Sequence, residues 1–193
     1  MRELEFFYDF ISPYSYLAST RVEAVAARAG ATIRWRPFLL GGVFKATGNR
    51  APIETPAKGP YMWRDLTRWA TRLGVPFAMP ATFPVSSVLS LRTALAVEQQ
   101  GKLVPFTHAM YRAYWGEGQD LSQPDVVAKV ATSVGLDGAA MVAAAPDHKA
   151  TLAAQTQNAI DRGAFGAPTF FVGEEMFVGN DRLDFVEEAL RRP

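Results

Sequence analysis

Ser12-Pro13-Tyr14-Ser15 is the stretch of this sequence best placed to do chemistry. It ends an alternating apolar run and opens a helical one. That puts Ser12 at a helix N-terminus, where unsatisfied amide donors and the positive end of the dipole favour an anion. Ser12 taken alone reads first as an N-cap, a position that serine prefers on any helix. The second stretch is Ala167-Pro168-Thr169, a proline directly before a β-rich run. The chain has no cysteine and only two histidines, His108 and His148, far apart and without a spacing partner. Disulfides, thiolate metal sites, iron–sulfur clusters and a protein thiol nucleophile are thereby excluded, a Ser-His-Asp triad or His-based metal site fits poorly, and no metal is expected. Any sulfur chemistry must be brought in by a ligand.

The rest of the composition is ordinary. The 193 residues carry 20 Lys and Arg against 19 Asp and Glu, a formal charge of +1 that asks for neither nucleic acid nor an anionic membrane surface. With 49% hydrophobic and 20% charged residues, one globular domain, or one domain with an insertion, is expected. The start, Met-Arg-Glu-Leu-Glu, puts acids where a signal peptide needs an apolar run, and no stretch approaches the ~18 apolar residues of a membrane span. The expected location is cytoplasmic.

The elements that must position Ser12 and Pro168 follow from periodicity. Leu4, Phe6, Tyr8 and Phe10 alternate with Glu5, Phe7 and Asp9, which reads as a strand. Ala18, Val22, Val25, Ala26 and Ala29 then recur at helical spacing until Gly30, and Thr32 to Leu39 alternates again. Residues 41–60, with four Gly and three Pro, read as a long loop of the kind that carries function. From Tyr61 to Leu73 one helical stripe is apolar, and Arg64, Arg68 and Arg72 form another that reads as a solvated face. Further helices are predicted over 85–100, 103–114, 124–134, 137–144 and 147–162. Thr169 to Val172 and Met176 to Val178, joined by Gly173-Glu174-Glu175, form a hairpin, and Asp181 starts a last helix. The order β-α-β, helical block, β-β-α is that of an α/β thioredoxin-like fold with a large all-helical insertion. Residues 1–45 and 163–193 would form the discontinuous thioredoxin-like domain, and 46–162 the linker loop and helical insertion. In that fold a Cys-x-x-Cys occupies the place of Ser12 to Ser15. A serine there cannot exchange disulfides but can donate a hydrogen bond to a ligand's anionic sulfur. A cis proline sits in that fold at the place of Pro168, leaving the backbone before it free to pair with an extended peptide; a trans proline would instead open an edge strand.

The chain resembles the 2-hydroxychromene-2-carboxylate isomerases and, more distantly, the kappa-class glutathione transferases, both relatives of the DsbA-type oxidoreductases. The resemblance rests on FYDFISPYSYLA at 7–18, GNRAP at 48–52, KGPYMWRDLTRWATRLGVPF at 58–77, YWGEG at 114–118 and FGAPTFFVGEEMFVGNDRLDF at 165–185. It implies a glutathione cofactor, with Ser12 facing the sulfur as the catalytic residue. Ala167 and Pro168 would present the backbone to the cysteinyl part, Asn180 and Asp181 would hold the γ-glutamyl end, and Asn49 and Lys58 would reach glutathione or substrate. The relatives carry a lysine in the glycine-rich loop that is expected to meet the substrate carboxylate; Lys45 stands beside that place, and an ungapped reading puts Phe44 at it. Phe83 stands where an aromatic is expected and lacks the hydroxyl of a tyrosine. The implied reaction interconverts 2-hydroxychromene-2-carboxylate and trans-o-hydroxybenzylidenepyruvate in the breakdown of naphthalene-type aromatics. The alternatives are a kappa-like transferase that conjugates electrophiles and a non-catalytic binding module for glutathione or a peptide. The implied partners are an aromatic carboxylate and glutathione, with a homodimer as the assembly.

Overall fold

The computed structural model describes residues 2–192. Its sheet is built of β1 (Glu3–Tyr8), β2 (Thr32–Pro37), β3 (Thr169–Val172) and β4 (Glu175–Val178) in the order β2-β1-β3-β4. β1 runs parallel to β2, with Phe6 opposite Trp35, and antiparallel to β3, with Phe6 opposite Phe170. The parallel pair needs a crossover, and α1 (Pro13–Arg28) supplies it. The predicted hairpin thus lies beside the first strand.

Both faces of β1 are covered. Leu4, Phe6 and Tyr8 enter the main core, where Phe6 stacks on Phe170 at 5.1 Å between centroids. Phe7, on the other face, packs edge-on against Phe38 and Phe171 in a second, smaller core. The alternation therefore marks two buried faces rather than one.

The expectation of a loop over 41–60 is corrected at its start, since Leu40–Thr47 is a helix, α2, despite Gly41 and Gly42. Its first amides are capped from far away. Leu39 N donates to Thr156 Oγ1 at 2.9 Å and Leu40 N to Asp9 Oδ2 at 2.8 Å. A side chain at Gly42 would press on Thr156, its Cβ 3.2 Å from Cγ2, so glycine permits the close seating of α2 on the helix over Lys149–Asp161. Gly48, at φ +70°, ends the helix in the left-handed region that glycine tolerates. The irregular stretch after it holds one short 3₁₀ turn, Pro52–Glu54.

The helical part comprises α3 (Lys58–Leu73), α4 (Val88–Glu98), α5 (Leu103–Tyr111), α6 (Pro124–Ser133), α7 (Gly138–Ala144) and α8 (Lys149–Asp161). α5 widens into a π-helical turn over Arg112–Gly116, and this turn braces the end of β1. Trp115, fully buried, donates its indole N–H to Phe10 O at 2.8 Å, and Tyr111 donates its hydroxyl to Asp9 O at 3.2 Å. Truncating a Trp so placed costs about 3–5 kcal/mol. After β4, a 3₁₀ turn at Asn180–Arg182 leads into α9 (Leu183–Arg191), which packs on α1. No helix among the described residues is long and apolar enough to cross a membrane.

Candidate active site

β1 ends in a turn that delivers Ser12 to a cleft. The Asp9 carbonyl accepts Ser12 N at 3.0 Å, and Asp9 Oδ1 accepts Ile11 N at 3.2 Å, which turns the chain from strand to helix within three residues. Ser12 is the N-cap of α1, with extended backbone, and its Oγ accepts Ser15 N at 3.1 Å. The same Oγ donates to Ala167 O at 2.9 Å. Ser12 is nearly buried, at 3% exposure. With Pro13 lacking an N–H and Ser15 N taken, the first-turn amide without an acceptor among the described residues is that of Tyr14. The Tyr14 hydroxyl donates to Asp65 Oδ2 at 3.1 Å and so fastens α1 to α3. Burial first, and then Asp65, raise its pKa, so Tyr14 is a neutral phenol.

The cleft is a cavity of about 590 Å³, within the size range of small-molecule sites. One wall is the Ser12–Tyr14 segment, and the facing wall is Phe165, Gly166 and Ala167. Leu40 and Phe44 of α2, the stretch Gly48–Thr55, and Lys58 and Met62 of α3 close the third side; Phe83 and Pro84 close the fourth. The Ala167–Pro168 peptide is cis, as is Phe83–Pro84. Phe83 is held by Trp63 and Trp115, with centroids at 5.4 and 5.5 Å, so this wall is rigid and aromatic. Asn49 ties the loop to the opposite wall, donating from Nδ2 to Phe165 O at 2.7 Å. Two cations line the cavity, Arg50 and Lys58, and neither makes an ion pair among the described residues.

Of the residues singled out in the sequence, Ser12, Asn49, Lys58, Phe83 and Ala167 all line this cavity. Pro168 follows Ala167 immediately, and its carbonyl accepts Gly179 N at 3.0 Å. Asn180 and Asp181 are not wall residues; Val178 is the lining residue nearest to them in sequence. Asn180 is buried, its backbone carbonyl accepts from Arg21 at 3.2 Å, and its side-chain Nδ2 has no partner. Asp181 is half-exposed and pairs with Arg182. Lys45 corrects an expectation. It faces a separate groove with Arg92 and Lys149, while its neighbour Phe44 turns into the cavity. Successive helical residues point about 100° apart, so α2 cannot aim both inward. Arg50 was not singled out from the sequence, and its one signal was membership of the GNRAP segment at 48–52.

A fit to glutathione can be tested on these atoms. The sulfur-binding place would be the start of α1, where the Tyr14 amide is free and the Ser12 hydroxyl can turn its hydrogen from Ala167 O to the sulfur. Ala167 offers backbone at the opposite wall, Lys58 and Arg50 offer charge for a carboxylate, and Asn180 Nδ2 is an orphaned buried donor beyond Val178. The residues present suit a small peptide with anionic ends.

The family model of DSBA-like thioredoxin domains matches residues 3–191. A 2-hydroxychromene-2-carboxylate isomerase of Sphingobium xenophagum is 36% identical over 98% of this chain and 98% of its own. The solved structure of an isomerase of that name superposes with a TM-score of 0.89 at 32% identity, covering 97% of this chain and 94% of that one. A glutathione S-transferase kappa 1 of Caenorhabditis elegans is 29% identical over 98% of this chain and 91% of its own.

Proposed function

Because the chain belongs to the family of DSBA-like thioredoxin domains, and within it groups with the 2-hydroxychromene-2-carboxylate isomerases, we propose that it is a glutathione-dependent isomerase of this kind. It would interconvert 2-hydroxychromene-2-carboxylate and trans-o-hydroxybenzylidenepyruvate in the cytoplasm. The observation that carries the reading is the cysteine-free start of α1, with Ser12 and the free Tyr14 amide opening onto an aromatic cavity that holds two unpaired cations.

Bound glutathione supplies a thiolate that can add reversibly to the conjugated bond, allow rotation about it, and leave unchanged. The protein's residues do the rest. The Tyr14 amide and the end of the α1 dipole stabilise a negative sulfur, and Ser12 adds its hydroxyl when it exchanges Ala167 O for the ligand. Ala167 and Pro168 present backbone to the peptide, and Asn180 and Asp181 meet its far end. Phe44, Phe83 and Phe165 hold a planar ring flat against the site. The substrate carboxylate goes to Arg50, with Lys58 and Asn49 beside it, because Lys45 faces elsewhere. A planar, delocalised guanidinium suits a carboxylate better than a point charge.

The kappa-type relative supports a second reading, conjugation of an electrophile with consumption of glutathione. The test is a spectrophotometric assay of the interconversion with protein stripped of glutathione, before and after its return. Activity only after return supports the isomerase; full activity without it rejects the mechanism.

A further inference from the structure

Asp9 is completely buried at the end of β1, and its carboxylate has no counter-ion among the described residues. Its oxygens are used instead by the backbone of two different segments. Oδ1 accepts Ile11 N at 3.2 Å, and Oδ2 accepts Leu40 N at 2.8 Å. Ile11 belongs to the turn that carries Ser12. Leu40 starts α2, which carries Phe44 and leads into the loop of Asn49 and Arg50. Two segments of the cavity lining therefore meet at one carboxylate. A buried, uncompensated charge is costly, and packing alone does not require it.

We propose that Asp9 is the positioning residue of this site: its ionised carboxylate holds the Ser12 turn and the start of α2 together, and protonation gives up one amide acceptor and loosens the wall. The proposal rests on the cavity being the glutathione and substrate site. The titratable groups around Asp9 among the described residues are phenols, Tyr8 on its own strand, Tyr111 from α5 and Tyr114 from the π turn; α2 presents the Leu40 amide. Burial raises the Asp9 carboxyl to about 6, and the Leu40 and Ile11 amides hold it from rising further. Glutathione and substrate should therefore bind more tightly as pH climbs through that value.

The test is glutathione affinity by calorimetry and KM for the aromatic acid, both between pH 5 and 8. In the wild type both improve roughly tenfold with an inflection near 6, the scale of one charge-assisted hydrogen bond. Asp9→Asn should stay at the weak level and lose the inflection. If the Asn variant folds poorly, the wild type serves by itself: the Ile11 and Leu40 amide resonances should titrate with the same inflection, and amides that do not shift between pH 5 and 8 overturn the proposal. The Asp9→Asn protein should also be at least as stable as the wild type at pH 7, because the acid's folded pKa lies above its unfolded value and the charged form disfavours folding. An inflection that survives in Asp9→Asn, or binding equal to the wild type, overturns the proposal. A wild type that binds no glutathione at any pH removes the functional reading instead; titration of the Ile11 and Leu40 amide resonances near pH 6 would then still support the clamp.

Discussion

Ser12 gives its only hydrogen to the carbonyl oxygen of Ala167, 2.9 Å away on the opposite wall, while its lone pair takes the amide of Ser15. One hydroxyl thus caps α1 and latches two walls of the cleft, and a ligand thiolate must compete with Ala167 O for its proton. The two roles separate by substitution. Ser12→Ala loses the cap, worth about 1 kcal/mol, and should lower Tm by roughly 2–4 °C. Ser12→Gly keeps most of the capping and should melt close to the wild type. Both should lose about ten- to a hundredfold in turnover, the scale of one hydrogen bond to a charged group. Normal turnover in the Gly variant would leave Ser12 as a cap alone.

Phe44 and Lys45 are adjacent on α2 yet face different spaces, and the proposed carboxylate site at Arg50 follows from that. Lys45→Met should leave steady-state kinetics unchanged. Arg50→Met should raise KM for the aromatic acid by up to about fivefold with little change in kcat, since an exposed, screened cation holds ground state and transition state alike. Lys58→Met should act in the same direction. A Lys45 effect larger than the Arg50 effect would reverse the assignment.

How much of this was legible in the sequence depends on where each residue's partners lie. β1, α1 and the 169–178 hairpin show themselves locally, through the alternation of Leu4, Phe6 and Tyr8, the Ser12-Pro13 start, and Gly173 at φ +60° in the turn. α2 does not, because its caps, Asp9 and Thr156, lie 31 and 117 residues away from the amides they accept and its own Gly41-Gly42 argues against a helix. Arg50 sits in irregular backbone where no period tells which side chain faces inward. Asp9 reads as the polar member of an alternating strand; only the tertiary structure shows it buried and bonded to amides of two segments.

Glu5 provides a stability test apart from the site. It bridges Arg36 of β2 at 2.8 Å and Arg162, at the end of α8, at 2.7 Å. Burial alone would raise its pKa, but the two guanidinium groups together outweigh it and hold the carboxyl below its usual value. A depressed acid contributes stability above its unfolded pKa and loses it as pH falls through the folded one. Chemical denaturation should therefore show Glu5→Gln less stable than the wild type at pH 7 by about 1 kcal/mol, allowing for solvent screening. The gap should narrow as pH falls below 4.5, the ordinary value. A gap that is constant from pH 7 to 3 would mean that packing rather than charge sets the cost.

The absence of cysteine makes the role of glutathione measurable by mass balance. No protein thiol can start an addition at the conjugated bond, so each turnover must draw its sulfur from solution and, in an isomerisation, give it back. Protein supplied with one glutathione per ten substrate molecules should bring all ten to the same equilibrium mixture as excess glutathione does, and mass spectrometry should recover the tripeptide unmodified. The transferase reading gives the opposite result, with turnover stopping after one equivalent and an S-conjugate accumulating. Under the proposed function, Phe44, Phe83 and Phe165 of the lining would hold a flat ring and Arg50 and Lys58 its acid end, so that the adduct would stay oriented for elimination rather than release.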